Sequence, residues 1–359
     1  MSSIAEYTKR GIKLYETGNH SESLKFFEKA YREMTDQCIT NHDVRESVIY
    51  NLALTYYSLR LYKLAEENYE KLSEYNYQGM YELSMTKFFL HKLKSGAKLY
   101  PNRYLRDAFD SPKFPVLPLK KINRVYDLTD RSVIVLNEQG IGDELMFMRS
   151  IHELSNRVKY AKVQVYPELR RVLEENIDLP NIEFFTDRSF NSSFLNGLDG
   201  VLYLGDLWTM FMDSPPLVLE TPVEAAIIDV DPGMFHVGFV CACNKKSSNA
   251  KQRSVPEEIF KTLSKRPNHI LHSLMIDRSF KFAVDHRDKI KDFFDTLSII
   301  DSLDAVVTID TSVAHLAAAS GTPTYLIYNE YLDWRWTNGF YPNVTVVIAD
   351  QLKKLSLNK

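Results

Sequence analysis

The stretch AVVTIDTSVAHLAAASGTPTYLIY, residues 305–328, decides the fold class. Its first five residues form a near-continuous run of β-branched residues that predicts a buried strand, and a helical pattern follows from Val313. Gly321 ends that helix, and a second apolar run starts after Pro323. This order is typical of a parallel sheet covered by helices, in which ligands bind beyond the carboxyl ends of the strands.

The same alternation of strand and helix runs from about residue 130 to the end of the sequence. It predicts an α/β fold with two doubly wound, Rossmann-like domains, residues 130–232 and 233–359, and a cleft between them. Four prolines between residues 98 and 129 interrupt any helix and predict a linker before the first of these domains.

Residues 1–97 read as helices only, broken at Gly18 and Asn19. The run that follows repeats the first in register, so that Gly11 matches Ala53 and Phe27 matches Tyr69. This region resembles the tetratricopeptide repeat, a 34-residue helix pair. The copies are offset by more than that, and the surplus near residues 35–44 predicts a long loop. A plain helical bundle is the alternative.

Composition bounds the function. The 359 residues are 45% hydrophobic and 25% charged, with a net charge of -3, which argues against a nucleic-acid coat protein or a polybasic membrane protein. No apolar run approaches the roughly 20 residues of a membrane helix. Three cysteines without a Cys-x-x-Cys pair argue against a disulfide framework or a structural zinc site. We therefore expect a cytoplasmic protein without a membrane span or a bound metal.

The segment NEQGIGDE, residues 137–144, follows a predicted strand and precedes a helical pattern. Gly140 and Gly142 allow a tight turn and close approach of a ligand, and with Gln139 they form a predicted cleft loop. Asp143 is either the N-cap of the helix or a carboxylate that serves chemistry in the cleft. The spacing is not G-x-G-x-x-G, so a dinucleotide fingerprint is not supported.

The turn that begins at Asp310 carries the second motif. Thr311 and Ser312 are placed at a helix N-terminus, where N–H groups and hydroxyls suit a diphosphate. His315 on the first turn is a candidate donor to the same phosphates. The alternative is a capped helix with a satisfied histidine.

Two further motifs have both structural and functional interpretations. Lys245, Lys251 and Arg253 form a cationic loop, which either faces the cleft or is simply solvated, and Ser254 with Glu257 predicts a capping box. The segment DWRW, residues 333–336, holds two of the three tryptophans. They either wall a pocket or pin the C-terminal segment to the core.

Together with the segment DFFDT at residues 292–296, these motifs resemble in order those of the bacterial tetratricopeptide-repeat glycosyltransferases. Those enzymes are similar to the heptosyltransferases and, more distantly, to the protein O-GlcNAc transferases. The resemblance implies a GT-B fold and an inverting, metal-independent transfer of a sugar from a nucleotide-sugar, which is a substrate, so no cofactor is implied.

The resemblance also implies residue roles. Asp143 is the implied general base, and Asp292 and Thr296 lie near the nucleoside. The implied diphosphate-binding residues are Lys245, Lys251, Arg253, Asp310, Thr311, Ser312 and His315. The acceptor is a protein, a glycan or a modified nucleic-acid base, and the sequence does not choose among them. The repeats are expected either to bind the acceptor or to self-associate.

Two other functions stay open. One is a scaffold with a decayed catalytic half, favoured by Cys241 and Cys243 where relatives commonly carry tryptophan and glycine. The other is a nucleotide-sugar epimerase or hydrolase, which has no need of a protein-binding front end.

Overall fold

The computed structural model describes residues 3–105, 117–222, 225–243 and 250–354. The chain separates into two compact units, Met1–Pro115 and Val116–Lys359. Each unit has its own core, and the two are described in turn. No helix in these described ranges is long and apolar enough to cross a membrane.

The described residues of the first unit, 3–105, form helices and the turns between them. Its helices are α1 (Ser3–Glu16), α2 (His20–Asp36), α3 (His42–Ser58), α4 (Tyr62–Tyr69), α5 (Tyr77–Phe89) and α6 (Leu93–Leu99), followed by a 3-10 turn at Tyr100–Tyr104. They pack as three consecutive hairpins, α1 with α2, α3 with α4, and α5 with α6. The helical unit thus continues beyond residue 97, because Tyr100 and Arg103 are buried in it.

The three hairpins share one turn geometry. Gly18, Arg60 and His91 follow α1, α3 and α5 and have left-handed φ angles of 79°, 61° and 58°. In the first turn the Asn19 N–H donates to the Leu14 carbonyl at 2.9 Å, and the other two turns contain the same bond. This is the Schellman ending of a helix. Its recurrence shows that the third hairpin, whose sequence is degenerate, is a structural repeat of the first two.

Packing in this unit follows the small and large residues matched in sequence. Phe27, Ala53 and Tyr69 are fully buried. A Cβ on Gly11 would stand 2.7 Å from the Phe27 ring, so glycine allows α1 to approach α2. The expected long loop at residues 35–44 is wrong: α2 and α3 are 17 residues each and absorb most of the surplus.

The second unit begins with a five-stranded parallel sheet in the order β1-β5-β2-β3-β4. Its strands are β1 (Lys120–Lys121), β2 (Ser132–Leu136), β3 (Tyr160–Gln164), β4 (Ile182–Phe185) and β5 (Gly200–Tyr203). Its helices are α7 (Ile141–Phe147), α8 (Ile151–Ser155), α9 (Pro167–Asn176) and α10 (Leu204–Met210). Val135 of the central strand β2 pairs with Val163 and Leu202.

A six-stranded parallel sheet follows, in the order β11-β10-β9-β6-β7-β8. Its strands are β6 (Phe235–Val240), β7 (His269–Ser273), β8 (Val284–Asp285), β9 (Ala305–Thr308), β10 (Thr324–Tyr328) and β11 (Val344–Ile348). Its helices are α11 (Ala250–Arg253), α12 (Glu257–Leu263), α13 (Phe293–Asp301), α14 (Ser312–Ala319) and α15 (Trp334–Thr337). Two doubly wound parallel sheets after a helical unit confirm the predicted fold class, a GT-B arrangement with a helical front.

The predicted capping box at Ser254 and Glu257 is wrong. Helix α12 begins at Glu257 with Pro256 as N-cap and no side-chain cap. The Ser254 hydroxyl instead donates to the Ala250 carbonyl at 2.7 Å, because the short helix α11 ends directly before it.

A buried chain of three histidines crosses the second sheet. His236 Nδ1 lies 2.9 Å from His272 Nε2, and His272 Nδ1 lies 2.8 Å from His286 Nε2. His236 Nε2 faces the Asp231 carbonyl at 2.9 Å. Because a carbonyl only accepts, His236 carries a proton on Nε2, and with all three rings neutral each imidazole in the chain is the Nε2–H tautomer. Burial, with the charges of the other two rings, lowers the pKa of His272 to about 3.

Candidate active site

The candidate site is a cavity of about 1020 Å³ between the two sheets of the second unit. Helix α7 after β2 and helix α14 after β9 both begin at its wall. The two helices pack so closely that a Cβ on Gly142 would stand 2.8 Å from His315 Cδ2. The glycine-containing motif at residues 137–144 and the turn that begins at Asp310 therefore lie at the same cavity.

Asp143 lines this cavity but is not an N-cap. Gly140 is the N-cap and Asp143 is the third residue of α7. The left-handed Gln139 (φ 64°) and the extended Gly140 bring the chain into the helix three residues earlier than the N-cap interpretation required. The Asp143 Oδ2 accepts the Gly140 N–H at 3.0 Å, and its Oδ1 is paired with the Arg335 guanidinium. The carboxylate thus fixes the loop and faces the cavity at once.

Arg335 is the site residue that sequence reasoning missed. Asp333 caps α15, accepting the Arg335 N–H at 3.0 Å and the Arg335 Nη1 at 2.7 Å. The same guanidinium crosses to Asp143 of the first half. The two tryptophans dominate the sequence pattern of this segment, and the arginine between them was not predicted to be functional. An arginine at the carboxyl edge of a parallel sheet was the available signal.

The tryptophans themselves have structural contacts. Trp334 is fully buried against Trp208, with ring centroids 5.6 Å apart. Trp336 packs on His315, with ring centroids 4.4 Å apart. They hold α15 in place and so aim Arg335 at the cavity.

The first turn of α14 has no side-chain cap. Thr311 is the N-cap, yet its hydroxyl makes no cap hydrogen bond to the helix, and Ser312 is the first helical residue. Thr311, Ser312 and Asp310 all line the cavity. This arrangement leaves the first turn of α14 to a ligand that accepts hydrogen bonds.

His315 lies under this turn. It is buried, and its Nδ1 is 3.0 Å from the Tyr341 hydroxyl. Burial, then the charges of Arg335 and Arg253, lower the pKa of His315 well below its usual range, so the imidazole is neutral. Burial also raises the pKa of Tyr341. A protonated Tyr341 that donates to Nδ1 would leave the His315 proton on Nε2, the tautomer that can donate into the cavity.

Of the three cations of the basic loop, the structure describes the side chain of one. Arg253 lies 3.3 Å from the Asp310 carboxylate and also donates to the Asp310 carbonyl. Burial raises the pKa of Asp310, and the Arg253 charge opposes that rise. Lys245 and the side chain of Lys251 lie outside the described residues.

Asp292 and Thr296 line the far part of the cavity, but their polar groups serve α13. Asp292 Oδ1 caps that helix at the Phe294 N–H, 2.9 Å away, and the Thr296 hydroxyl donates to the Asp292 carbonyl at 3.1 Å. Arg171 of α9 lies 3.0 Å from Asp295 of α13, so an ion pair also joins the two sheet domains at this end of the cavity.

Glu144, next to Asp143, is a buried carboxyl group that no sequence motif predicted as functional. Burial raises the pKa of Glu144 to about 8, although the Tyr166 N–H donates to it at 3.0 Å. It links the loop after β2 to the loop after β3 through Asn137, 3.3 Å away. Its side chain is fully buried.

The cysteines contribute no visible chemistry. Cys241 is buried with its Sγ 3.5 Å from the Met275 sulfur, and burial raises the pKa of its thiol to about 11. Cys243 is likewise a free thiol. Among the described residues, no group of three or more His, Cys, Asp or Glu side chains is placed to hold a metal ion.

No protein-family model matches the sequence, and no curated protein matches it. Solved structures do. The iron-containing dodecameric glycosyltransferase TibC of enterotoxigenic E. coli is 13% identical over 61% of this chain and 63% of its own, with a TM-score of 0.46. E. coli ADP-heptose LPS heptosyltransferase II is 13% identical over 60% of this chain and 90% of its own, with a TM-score of 0.46.

A mutant of the Thermobaculum terrenum O-GlcNAc transferase aligns over 98% of this chain and 88% of its own, at 11% identity and a TM-score of 0.32. These matches are the classes that the sequence motifs resemble.

Proposed function

We propose that the protein is a glycosyltransferase that moves a sugar from a nucleotide-sugar to an acceptor hydroxyl. The observation that supports it most is the cavity that brings the Asp143 carboxylate of one sheet to the open start of α14 on the other. An inverting displacement needs a base on one side of the anomeric carbon and stabilisation of the leaving diphosphate on the other.

In this proposal the first turn of α14 holds the diphosphate through Thr311 and Ser312, and neutral His315 donates a hydrogen bond. Arg253, with Lys245 and Lys251, offsets the charge of the leaving group. The acceptor oxygen bonds to the anomeric carbon, its proton goes to Asp143, and the nucleoside diphosphate leaves with the electron pair of the broken C–O bond. No metal takes part, and Asp292 and Thr296 face the nucleoside.

The acceptor side of the proposal concerns the helical unit. Three hairpins with a shared turn geometry form a small repeat array, and such arrays bind extended partners on their surfaces. We assign that unit to binding the acceptor, which is a protein, a glycan or a modified nucleic-acid base.

Nucleotide binding tests the donor half. A thermal-shift assay would compare UDP, ADP, GDP, dTDP and CMP. ADP-heptose is added to the set because TibC was solved with ADP-D-β-D-heptose. One nucleotide should raise the melting temperature by mass action, and His315→Ala should lose that rise. Stabilisation by none of them would overturn the donor assignment.

A second candidate is a nucleotide-binding scaffold without turnover. It is favoured by the engagement of both Asp143 oxygens, one by the loop and one by Arg335. Nucleotide binding without release of nucleoside diphosphate from any donor, at any acceptor tested, would favour it over the transferase.

A further inference from the structure

The Asp143–Arg335 pair places a cation of the second half on the carboxylate that the proposed function uses as base. Asp143 Oδ2 is committed to the Gly140 N–H, and Oδ1 is covered by Arg335. An acceptor hydroxyl that delivers its proton to Oδ1 has to take the place of the guanidinium or share the oxygen with it. The pair is mostly buried, because only 14% of the Arg335 side chain and 21% of the Asp143 side chain are exposed.

Arg335 also lies within electrostatic range of the proposed diphosphate site. Its charge helps to lower the pKa of His315 and opposes the rise in the pKa of Asp310. Arg335, Thr311 and Ser312 line the same cavity. Asp333 holds the Nη1 of this guanidinium. Its Nη2 therefore has two alternative anionic partners, the Asp143 carboxylate and a diphosphate at the start of α14.

The charges on the cavity wall favour such an exchange. Within the described part of the chain, carboxylates outnumber cations there: Asp143, Glu168, Asp277, Asp292, Asp310 and Asp333 against Arg253, Lys291 and Arg335. Arg253 is held by both the carboxylate and the carbonyl of Asp310. Two of these three cations, Arg253 and Arg335, are now paired with carboxylates, and guanidinium binds phosphate oxygens in a bidentate manner.

We propose that Arg335 is a positioning residue that exchanges Asp143 for the donor's diphosphate, so that donor binding frees Asp143 for the acceptor. This inference rests on the proposed function. Before the donor binds, the pair holds the α7 loop and α15 together. After it binds, the guanidinium stabilises the departing diphosphate, and Oδ1 is open to the hydroxyl proton. The donor therefore binds before the acceptor.

The test is a double-mutant cycle on nucleotide affinity, measured by calorimetry with ADP, UDP, GDP and dTDP. Asp143→Asn removes one of the two carboxylates that hold Arg335, while Asp333 still pairs with its Nη1. It should therefore tighten binding of the cognate nucleoside diphosphate roughly three- to tenfold, the range expected for breaking a mostly buried ion pair. Arg335→Gln should weaken binding by at least as much. In the Arg335→Gln background, Asp143→Asn should tighten binding no more than Glu168→Gln does.

The controls separate exchange from simple charge repulsion. Glu168→Gln removes another carboxylate from the same wall without touching Arg335, and it should tighten binding less than Asp143→Asn. Arg335→Lys keeps the charge and should restore part of the affinity. Melting of each nucleotide-free variant establishes that it is folded.

The outcomes are distinct. Equal tightening by Asp143→Asn with and without Arg335 means repulsion alone and overturns the exchange, while the proposed function stands. Weaker binding in Asp143→Asn overturns it too. A wild-type protein that binds none of the four nucleotides overturns the proposed function and the exchange together.

Discussion

Gly142→Ala probes the contact on which the site depends, that between α7 and α14. The new Cβ would lie 2.8 Å from His315 Cδ2, about 0.6 Å closer than the 3.4 Å of ordinary contact. The imidazole has little room to retreat, because it is packed on Trp336 and bonded to Tyr341. Overpacking of this kind costs about 1–3 kcal/mol, and alanine returns up to ~1 kcal/mol of helix propensity.

We therefore expect Gly142→Ala to lower the free energy of unfolding by about 1–2 kcal/mol in urea titrations. In the His315→Ala background the overlap disappears, and the same substitution should become neutral or stabilising. Gly140→Ala is the matched control, because its Cβ would meet nothing closer than 3.4 Å. Equal effects of Gly142→Ala with and without the histidine ring would refute the packing of α7 on α14.

Three other predictions follow from buried or strained groups. Arg60→Gly removes a left-handed non-glycine residue from the second hairpin turn and should stabilise the protein by about 0.5–1 kcal/mol in urea titrations; destabilisation would contradict the shared turn. The pKa of Glu144 is raised to about 8, so its contribution to stability is present below its unfolded pKa and is lost as pH rises through 8; Glu144→Gln should gain stability relative to wild type between pH 6 and 9, by at most about 3 kcal/mol. Long-range nitrogen–proton NMR should find His236, His272 and His286 protonated on Nε2, with His272 neutral down to about pH 4; an Nδ1–H tautomer on any of them would contradict the chain.

The sequence was sufficient for the fold because its signals were local and repeated. Near-continuous β-branched runs such as residues 305–309 are buried on both faces only in a parallel sheet, and the alternation recurs in both halves. The predicted helix starts were wrong where one residue or one short helix changed the local backbone geometry. The left-handed Gln139 moved the start of α7 to Ile141, and α11 displaced the predicted cap of α12.

The candidate site was only partly visible in sequence. Motifs at the carboxyl ends of β2 and β9 were expected at a cleft between the two sheets because ligands bind beyond the carboxyl ends of parallel strands, and Asp143 and the 310–315 turn do line one cavity. Arg335 was hidden because its partner is 192 positions away. Glu144 was hidden because burial, which sets its pKa, is a property of the packed structure and not of the residue type.

Release of nucleoside diphosphate by Asp143→Asn is the most direct test of the central claim. The assay uses the nucleotide-sugar whose nucleotide binds, with an extract that supplies protein, glycan and nucleic-acid hydroxyls. Wild type should release nucleoside diphosphate, and Asp143→Asn should bind the donor yet release it at least 100-fold more slowly, the usual scale of a lost general base. Release at the wild-type rate by Asp143→Asn would contradict the account.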